Sequence, residues 1–122
     1  MKTLLIVDDE KPFVLSLQDG LSCYHDRLKV MVAFNGKEAL AKLNSNKVDL
    51  ILLDLKMPVM NGYELMETLR KENNSTPVII MTAYGTSARE RWARSIQALA
   101  FLEKPLGFYE LSKIVEDFLT EQ

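Results

Sequence analysis

The hydrophobic positions of this chain fall into short uninterrupted runs separated by longer amphipathic segments. Four runs have the length of a β-strand and occupy residues 4–7, 30–34, 50–53 and 78–81, and a weaker fifth occupies residues 99–102. They lack the alternation of apolar and polar side chains expected of a strand with one face in water. The runs therefore predict strands covered on both faces, which is typical of parallel sheets.

The segments between the runs have helical periodicity. Apolar residues recur three or four positions apart in the first three of these segments and in the segment after the last run: Phe13, Leu17 and Leu21; Ala39, Leu40 and Leu43; Leu65, Met66 and Leu69; Phe108, Leu111, Val115, Phe118 and Leu119. Such a stripe lets a helix cover one face of a sheet. Because strand and helix alternate five times, the pattern predicts a doubly wound five-stranded parallel sheet, order 2-1-3-4-5, with helices on both faces.

Length and composition indicate one ordinary globular domain. The 122 residues are 48% hydrophobic and 26% charged, which argues against disorder. The net charge of −2, with basic residues scattered among acidic ones, makes direct nucleic-acid binding by this segment unexpected. No signal peptide or membrane-length apolar run is apparent, so we expect a cytoplasmic location. Cys23 is the only cysteine, and its apolar helical surroundings favour a buried thiol.

Polar residues of defined chemistry follow four of the five predicted strands. They are Asp8 and Asp9 after the first, Asp54 after the third, Thr82 after the fourth and Lys104 after the fifth. In an open parallel sheet, ligands bind beyond the carboxyl ends of the strands, near the point where the strand order reverses. We therefore expect these side chains to meet at one edge of the sheet.

Three carboxylates at one edge repel one another and raise their own pKa values unless a cation joins them. Mg²⁺ prefers oxygen ligands, keeps some waters and usually takes one or two carboxylates with a phosphoryl oxygen. Asp54 could then attack a phosphodonor as a nucleophile, while Thr82 and Lys104 bind the remaining phosphoryl oxygens. The pattern therefore predicts Mg²⁺ as cofactor and an acyl phosphate on Asp54.

Each of these residues taken alone has an ordinary structural explanation. Asp8 and Asp9 would cap the first helix, because acidic residues favour helix N-termini, and Asp54 would begin a turn. Chance rarely places acids, a hydroxyl and an ammonium at the same end of four strands. A shared site explains the set better than separate structural roles do.

Four stretches give the chain a resemblance to a known family. They are IVDDE at residues 6–10, LLDLKMPVMNG at 52–62, MTAYG at 81–85 and FLEKP at 101–105. In this ordered set, which spans essentially the whole chain, the sequence resembles the receiver domains of bacterial two-component response regulators. The resemblance implies a flavodoxin-like, CheY-like fold, with residues 1–122 as one receiver domain. It also implies phosphotransfer to Asp54 from a sensor histidine kinase or a histidine phosphotransfer protein.

The same resemblance implies roles for individual residues. Asp8, Asp9, Asp54 and the main-chain carbonyl of Lys56 would form the Mg²⁺ site. Thr82 would move toward the phosphoryl group while Phe101 turns inward, which remodels the face of the fourth and fifth helices for an unknown output domain or protein.

Further implications concern the lifetime of the phosphoryl group and the assembly of the domain. Lys56 and Tyr84 would flank the water that attacks the phosphoryl group and so tune its lifetime, although both could equally be surface side chains. A cis peptide bond would precede Pro105. A homodimer through the fourth and fifth helices is an additional possibility, and turnover of an external substrate is not expected.

The fourth helix departs from the family pattern. Arg89, Arg91 and Arg94 stand where receivers commonly carry small or apolar residues, and Gln97 replaces the glycine usual at a left-handed helix end. Trp92 could anchor a partner or pack inward with Ala88 and Ile96, and the inward interpretation is favoured because apolar stripes usually face the core.

Two other functions compete with a phosphorylated switch. A pseudo-receiver would bind a partner without being phosphorylated, but the complete set of acids and lysine argues against it. A phosphohydrolase would need a dedicated general acid, and residues 54–56 supply no second carboxylate. His25, the only histidine, has no expected catalytic role. The chain could be a complete regulator or part of a longer one.

Overall fold

The computed structural model describes residues 1–120 of the chain as five strands alternating with five helices. The strands are β1 (Lys2–Val7), β2 (Leu28–Ala33), β3 (Leu50–Asp54), β4 (Val78–Thr82) and β5 (Ala100–Glu103). The helices are α1 (Lys11–Leu21), α2 (Gly36–Ser45), α3 (Gly62–Lys71), α4 (Ser87–Ser95) and α5 (Phe108–Thr120), with a 3-10 turn at Ser22–Tyr24. Residues 121–122, part of the predicted domain, lie outside the described residues.

All strand pairs are parallel, and the sheet order is β2-β1-β3-β4-β5. This confirms the predicted fold. Successive side chains of a strand point to opposite faces of the sheet, so Leu4 and Ile6 of β1 join one core cluster and Leu5 and Val7 the other. The first cluster is closed by α1 and α5, and the second by α2, α3 and α4. Both faces are covered, which explains the uninterrupted apolar runs.

Strand boundaries differ from the hydrophobic runs by one or two residues. β1 begins at Lys2, which pairs with Leu28 of β2, and β5 extends to Glu103, which pairs with Thr82 of β4. Main-chain pairing decides where a strand ends, so residues with polar side chains at the ends of the apolar runs can also belong to the strand. No helix among residues 1–120 is long and apolar enough to cross a membrane.

The starts of α2, α3 and α4 are capped by polar side chains. Asn35 and Thr86 accept the N–H groups of Glu38 and Arg89, respectively. At α3, the Asn61 side chain accepts from the Glu64 N–H while the Glu64 side chain accepts from the Asn61 N–H. This reciprocal pair satisfies two helix-terminal donors and fixes the start of α3 just beyond the Asp54 strand.

The end of α4 adopts the left-handed conformation expected at Gln97. Its φ is 60°, its N–H donates to the Arg94 carbonyl, and the Ala98 N–H donates to the Ala93 carbonyl. The two bonds close a Schellman motif without glycine, at a backbone cost of about 1 kcal/mol. The Arg70 guanidinium of α3 also donates to the Ile96 carbonyl at 3.1 Å, which ties this end of α4 to α3.

α4 is attached to the sheet by few apolar contacts. Ala93 is its only fully buried residue, and Trp92 is half-buried with its ring 4.5 Å from that of Tyr63. This placement of Trp92 agrees with the inward interpretation. Ala88 is exposed, so the predicted inward stripe of Ala88, Trp92 and Ile96 was wrong at that position.

Two other burial expectations were also wrong. Cys23 is exposed because it lies on the 3-10 turn after α1, where Tyr24 is the residue that turns inward. Phe108 is 48% exposed at the first position of α5 and lies across Gly20 of α1 at the surface. Both residues occupy helix ends, where periodicity no longer determines the buried face.

Gly62, at the first position of α3, packs directly on the chain that carries Asp54. A Cβ at this position would lie 2.6 Å from the Asp54 carbonyl oxygen and 2.9 Å from Leu55 Cα. Both neighbours are main-chain atoms, so neither can rotate away. The missing side chain therefore allows α3 to begin against the end of β3.

We expect Gly62→Ala to lower the free energy of unfolding by about 1–3 kcal/mol, because the new methyl group overpacks a main-chain contact. Gly107→Ala is the matched control, since a Cβ there meets no described atom within 4 Å. It should change stability by less than about 0.5 kcal/mol. Urea unfolding measures both, and equal losses in the two variants would contradict the close-contact explanation.

Candidate functional site

The site lies at the carboxyl edge of the sheet, where the strand order reverses. Asp54 is the last residue of the central strand β3, and Thr82 is the last residue of β4. Asp8 directly follows β1, and Lys104 directly follows β5. Parallel pairing of the strands brings all four residues to the same edge, as the positions in the sequence indicate.

Lys104 lies among three carboxylates at this edge. Its Nζ is 2.7 Å from Asp8 Oδ2, 2.8 Å from Glu10 Oε1 and 3.5 Å from Asp54 Oδ1. The Phe13 ring covers the ammonium with its centroid 4.5 Å away. The peptide bond between Lys104 and Pro105 is cis.

Burial makes the charges at the site mutually dependent. Asp8 is 0% and Asp54 5% exposed. Burial, followed by the nearby Asp8 charge, raises the pKa of Asp54 to about 6, although Lys104 opposes the shift. Burial also raises the pKa of Asp8 against the influence of Lys104. Burial would lower the pKa of Lys104, but its bonds to Asp8 and Glu10 outweigh this and raise it.

The acidic residues are suited to a divalent cation. One carboxylate oxygen from each of Asp8, Asp9 and Asp54 lies within 4.8 Å of the others. The fully buried Asp8 Oδ2 has Lys104 Nζ at 2.7 Å as its ion-pair partner and no other hydrogen-bond partner among residues 1–120. Asp9 is exposed, which leaves room for water ligands. An all-oxygen set that includes a fully buried carboxylate oxygen fits Mg²⁺.

The predicted Thr82 hydroxyl lies in a loop network of its own. Thr82 Oγ1 accepts from the Tyr84 N–H at 3.2 Å and lies 3.4 Å from the Tyr84 carbonyl oxygen. Lys56 and the 70% exposed Tyr84 line the same cleft as Asp54, which has a volume of about 560 Å³. Phe101 is half-buried on β5 and lines a separate groove beside α4.

The explanation that Asp8 and Asp9 cap α1 does not fit the geometry. The N-cap of α1 is Glu10, which makes no side-chain capping bond. Asp8 Oδ1 accepts the Glu10 N–H at 2.9 Å, a local bond that leaves Asp8 Oδ2 directed into the site.

Two residues of the site were not singled out from the sequence. Glu10 holds Lys104, and its place beside Asp8 and Asp9 was the available signal. Arg89 lines the cleft and donates to the Tyr84 carbonyl, although no sequence pattern distinguishes it from the other arginines of α4.

Comparisons with known proteins agree with this fold. Residues 4–116 match the family model described as the response regulator receiver domain. The chain is 36% identical to the transcriptional regulatory protein GlrR of Escherichia coli (strain K12) over 118 residues, which are 97% of this chain and 26% of that protein. It is 34% identical over 119 residues to the transcriptional regulatory protein CiaR of Streptococcus pneumoniae, covering 98% of this chain and 52% of that protein.

Solved structures give the same result. The receiver domain of Francisella response regulator 1452 superposes with a TM-score of 0.88 at 31% identity, covering 98% of this chain and 97% of that one. A signal receiver domain from Colwellia psychrerythraea 34H gives a TM-score of 0.90 at 26% identity, covering 99% and 100% of the two chains. This chain belongs to the response regulator receiver domain family. It spans about half the length, or less, of the curated relatives named above.

We expect Asp54→Asn to raise the free energy of unfolding by about 1–3 kcal/mol at pH 7.5 without divalent cations. The folded pKa of about 6 lies above the unfolded value of 3.8, so the ionised carboxyl destabilises the fold above that pH. Its cost disappears as the pH falls from about 6 toward 4, so the gain should fade over the same range.

Urea unfolding at several pH values measures this difference. Asp26→Asn is the matched control, since Asp26 is exposed in a turn away from the site. A gain that does not depend on pH, or that appears equally in the control, would contradict the assignment to Asp54 ionisation.

Proposed function

We propose that this receiver domain is a phosphorylation-controlled switch in which Asp54 accepts a phosphoryl group in a reaction that depends on Mg²⁺. The observation that carries the proposal is a buried carboxylate at the end of β3 that has an ammonium 3.5 Å away and two further carboxylates within 4.8 Å. The phosphodonor would be a sensor histidine kinase or a histidine phosphotransfer protein, because family members take their phosphoryl group from such proteins.

In the proposed transfer, an Asp54 carboxylate oxygen forms a bond to phosphorus while the bond from phosphorus to the donor nitrogen breaks. The electron pair of that bond stays on the donor nitrogen, and the donor histidine leaves as a neutral imidazole when its other ring nitrogen carries a proton. Above pH 6 most of the Asp54 carboxyl is ionised, which the nucleophile requires. Lys104 is placed to donate to a phosphoryl oxygen by loosening its bonds to Asp8 and Glu10.

Asp8, Asp9 and Asp54, with the main-chain carbonyl of Lys56, would hold the Mg²⁺ ion. The ion would offset the charge of the phosphoryl oxygens, which would otherwise be repelled by the buried carboxylates. The buried Asp8 Oδ2 supports this assignment, because its one ion-pair partner among residues 1–120, Lys104, is shared with Glu10 and Asp54, and an incompletely paired buried charge is costly.

Phosphorylation would change the domain through Thr82 and Phe101. The Thr82 hydroxyl would turn to the phosphoryl group, and Phe101 would turn inward and alter the face formed by α4, β5 and α5. Shifting the equilibrium between the inactive and active conformations from 1:99 to 99:1 requires that phosphorylation favour the active one by about 5.5 kcal/mol. Charge-assisted bonds from Thr82 and Lys104 are of suitable strength to contribute to it.

The remaining expectations belong to the same proposal. Residues 1–122 would act as one receiver domain in the cytoplasm, without direct nucleic-acid contacts, and would signal through an output domain or protein. Lys56 and Tyr84, which both line the cleft, would tune the lifetime of the phosphoryl group. The face of α4 and α5 would also be the place for a homodimer.

The domain should gain one phosphoryl group from acetyl phosphate only when Mg²⁺ is present. Intact mass spectrometry would detect this gain in the unaltered protein and in Asp26→Asn, but not in Asp54→Asn or after chelation. Equal uptake of a phosphoryl group by Asp54→Asn would show that the acceptor is another residue. No uptake from acetyl phosphate or candidate kinases would favour a pseudo-receiver.

Mg²⁺ alone should stabilise the unphosphorylated domain. At ten times its dissociation constant, the expected gain in unfolding free energy is about 1.4 kcal/mol. Asp9→Asn should reduce the gain strongly without disturbing the fold, because Asp9 is exposed. Thermal unfolding with and without Mg²⁺ tests this, and an undiminished gain in Asp9→Asn would remove Asp9 from the metal site.

A further inference from the structure

Arg89 differs from the other arginines of α4 in its relation to the site. It lies in the first turn of the helix and lines the same cleft as Asp54, Thr82 and Lys104. Its guanidinium Nη1 donates to the Tyr84 carbonyl oxygen. By contrast, Arg91 is exposed, and Arg94 pairs with Glu90 on the helix surface at 3.0 Å.

The Tyr84 carbonyl oxygen is shared between two donors. The Arg89 nitrogen lies 2.5 Å from it and the Thr82 hydroxyl oxygen 3.4 Å. A separation of 3.4 Å is long for a bond between a hydroxyl and a carbonyl, whereas the guanidinium of Arg89 makes a charge-assisted bond within hydrogen-bonding distance. Arg89 is therefore the principal partner of this carbonyl, and the Thr82 proton is only weakly engaged.

We propose that Arg89 is a positioning residue for the phosphoryl-transfer site, which keeps the Thr82 hydroxyl available to the phosphoryl group on Asp54. This inference rests on the proposed function. A hydroxyl has a single proton to donate, so Thr82 must give up the Tyr84 carbonyl when it turns to a phosphoryl oxygen. With Arg89 bound, the Tyr84 carbonyl keeps a donor after the Thr82 hydroxyl rotates away, so no acceptor becomes unpaired.

Arg89 also has a fixed place from which to act. Its own N–H donates to Thr86 Oγ1, the cap of α4, at 3.1 Å. The guanidinium thus links the capped start of the helix to the loop residue two positions after Thr82. The bond from the Arg89 guanidinium to the Tyr84 carbonyl joins this loop to α4. A movement of Thr82 would therefore reach the start of α4, which belongs to the proposed output face.

The experiment measures the steady-state fraction of phosphorylated protein against acetyl phosphate concentration at fixed Mg²⁺. The proteins are the unaltered chain, Arg89→Ala, Thr82→Ala, the double variant, Arg89→Lys and the matched control Arg91→Ala. Urea unfolding without donor or Mg²⁺ establishes that each is folded, and Arg89→Gln replaces Arg89→Ala if that variant is not.

Arg89→Ala should raise the half-saturating acetyl phosphate concentration about 3- to 10-fold, within the range of coupling between neighbouring residues. Thr82→Ala should raise it further, and the double variant should match Thr82→Ala, because Arg89 acts through that hydroxyl. Arg89→Lys should recover part of the effect, since an ammonium can still donate to the carbonyl. Arg91→Ala should behave as the unaltered protein.

An unchanged or lowered concentration for Arg89→Ala would overturn the inference. The inference would also fail if the half-saturating concentration of the double variant rose by the product of the two single effects, because Arg89 would then act independently of Thr82. If the unaltered protein is phosphorylated normally in either case, the failure concerns Arg89 alone. If the unaltered protein takes up no phosphoryl group, the proposed function fails and the role of Arg89 falls with it.

Discussion

The crowding of buried carboxylates around one ammonium is the interaction on which this structure depends most. Asp8 and Asp54 lie almost entirely out of water, and Lys104 contacts both while also binding Glu10. Burying a charge is costly unless it is paired, and one ammonium cannot balance all of these acids. Burial raises the pKa of Asp54, and the remaining negative charge raises it further and favours a cation at this edge.

The fold gives the residues of the site different degrees of freedom. Asp54 ends the central strand, and Gly62 brings α3 into contact with its main chain, so the proposed nucleophile is held firmly. Thr82 ends β4, where a loop begins, and Lys104 follows β5, which lies at the edge of the sheet. An acceptor held by close packing, with partners that border loops, is a suitable arrangement for a switch.

The attachment of α4 is a second consequence of the sequence pattern. A helix with so many arginines buries little apolar surface, and Ala93 and the contact of Trp92 with Tyr63 supply most of it. Polar bonds hold the two ends of the helix instead, from Arg70 to the Ile96 carbonyl and from Arg89 to the Tyr84 carbonyl. A helix held at its ends by hydrogen bonds can shift without opening a core, because few packed side chains must separate.

Much of this protein follows from the sequence alone. Uninterrupted apolar runs and helical stripes determined the layered parallel fold, since both faces of the sheet need cover. The position of Asp8, Asp54, Thr82 and Lys104 directly at or after strand ends then predicted that they meet at one edge, because all strands of a parallel sheet run in the same direction. Tertiary structure decided the exposure of Cys23 and Phe108, the bond between Glu10 and Lys104, and the contact of Arg89 with Tyr84. These features depend on loop conformation and side-chain direction between segments distant in sequence or at helix ends, where local periodicity carries no information.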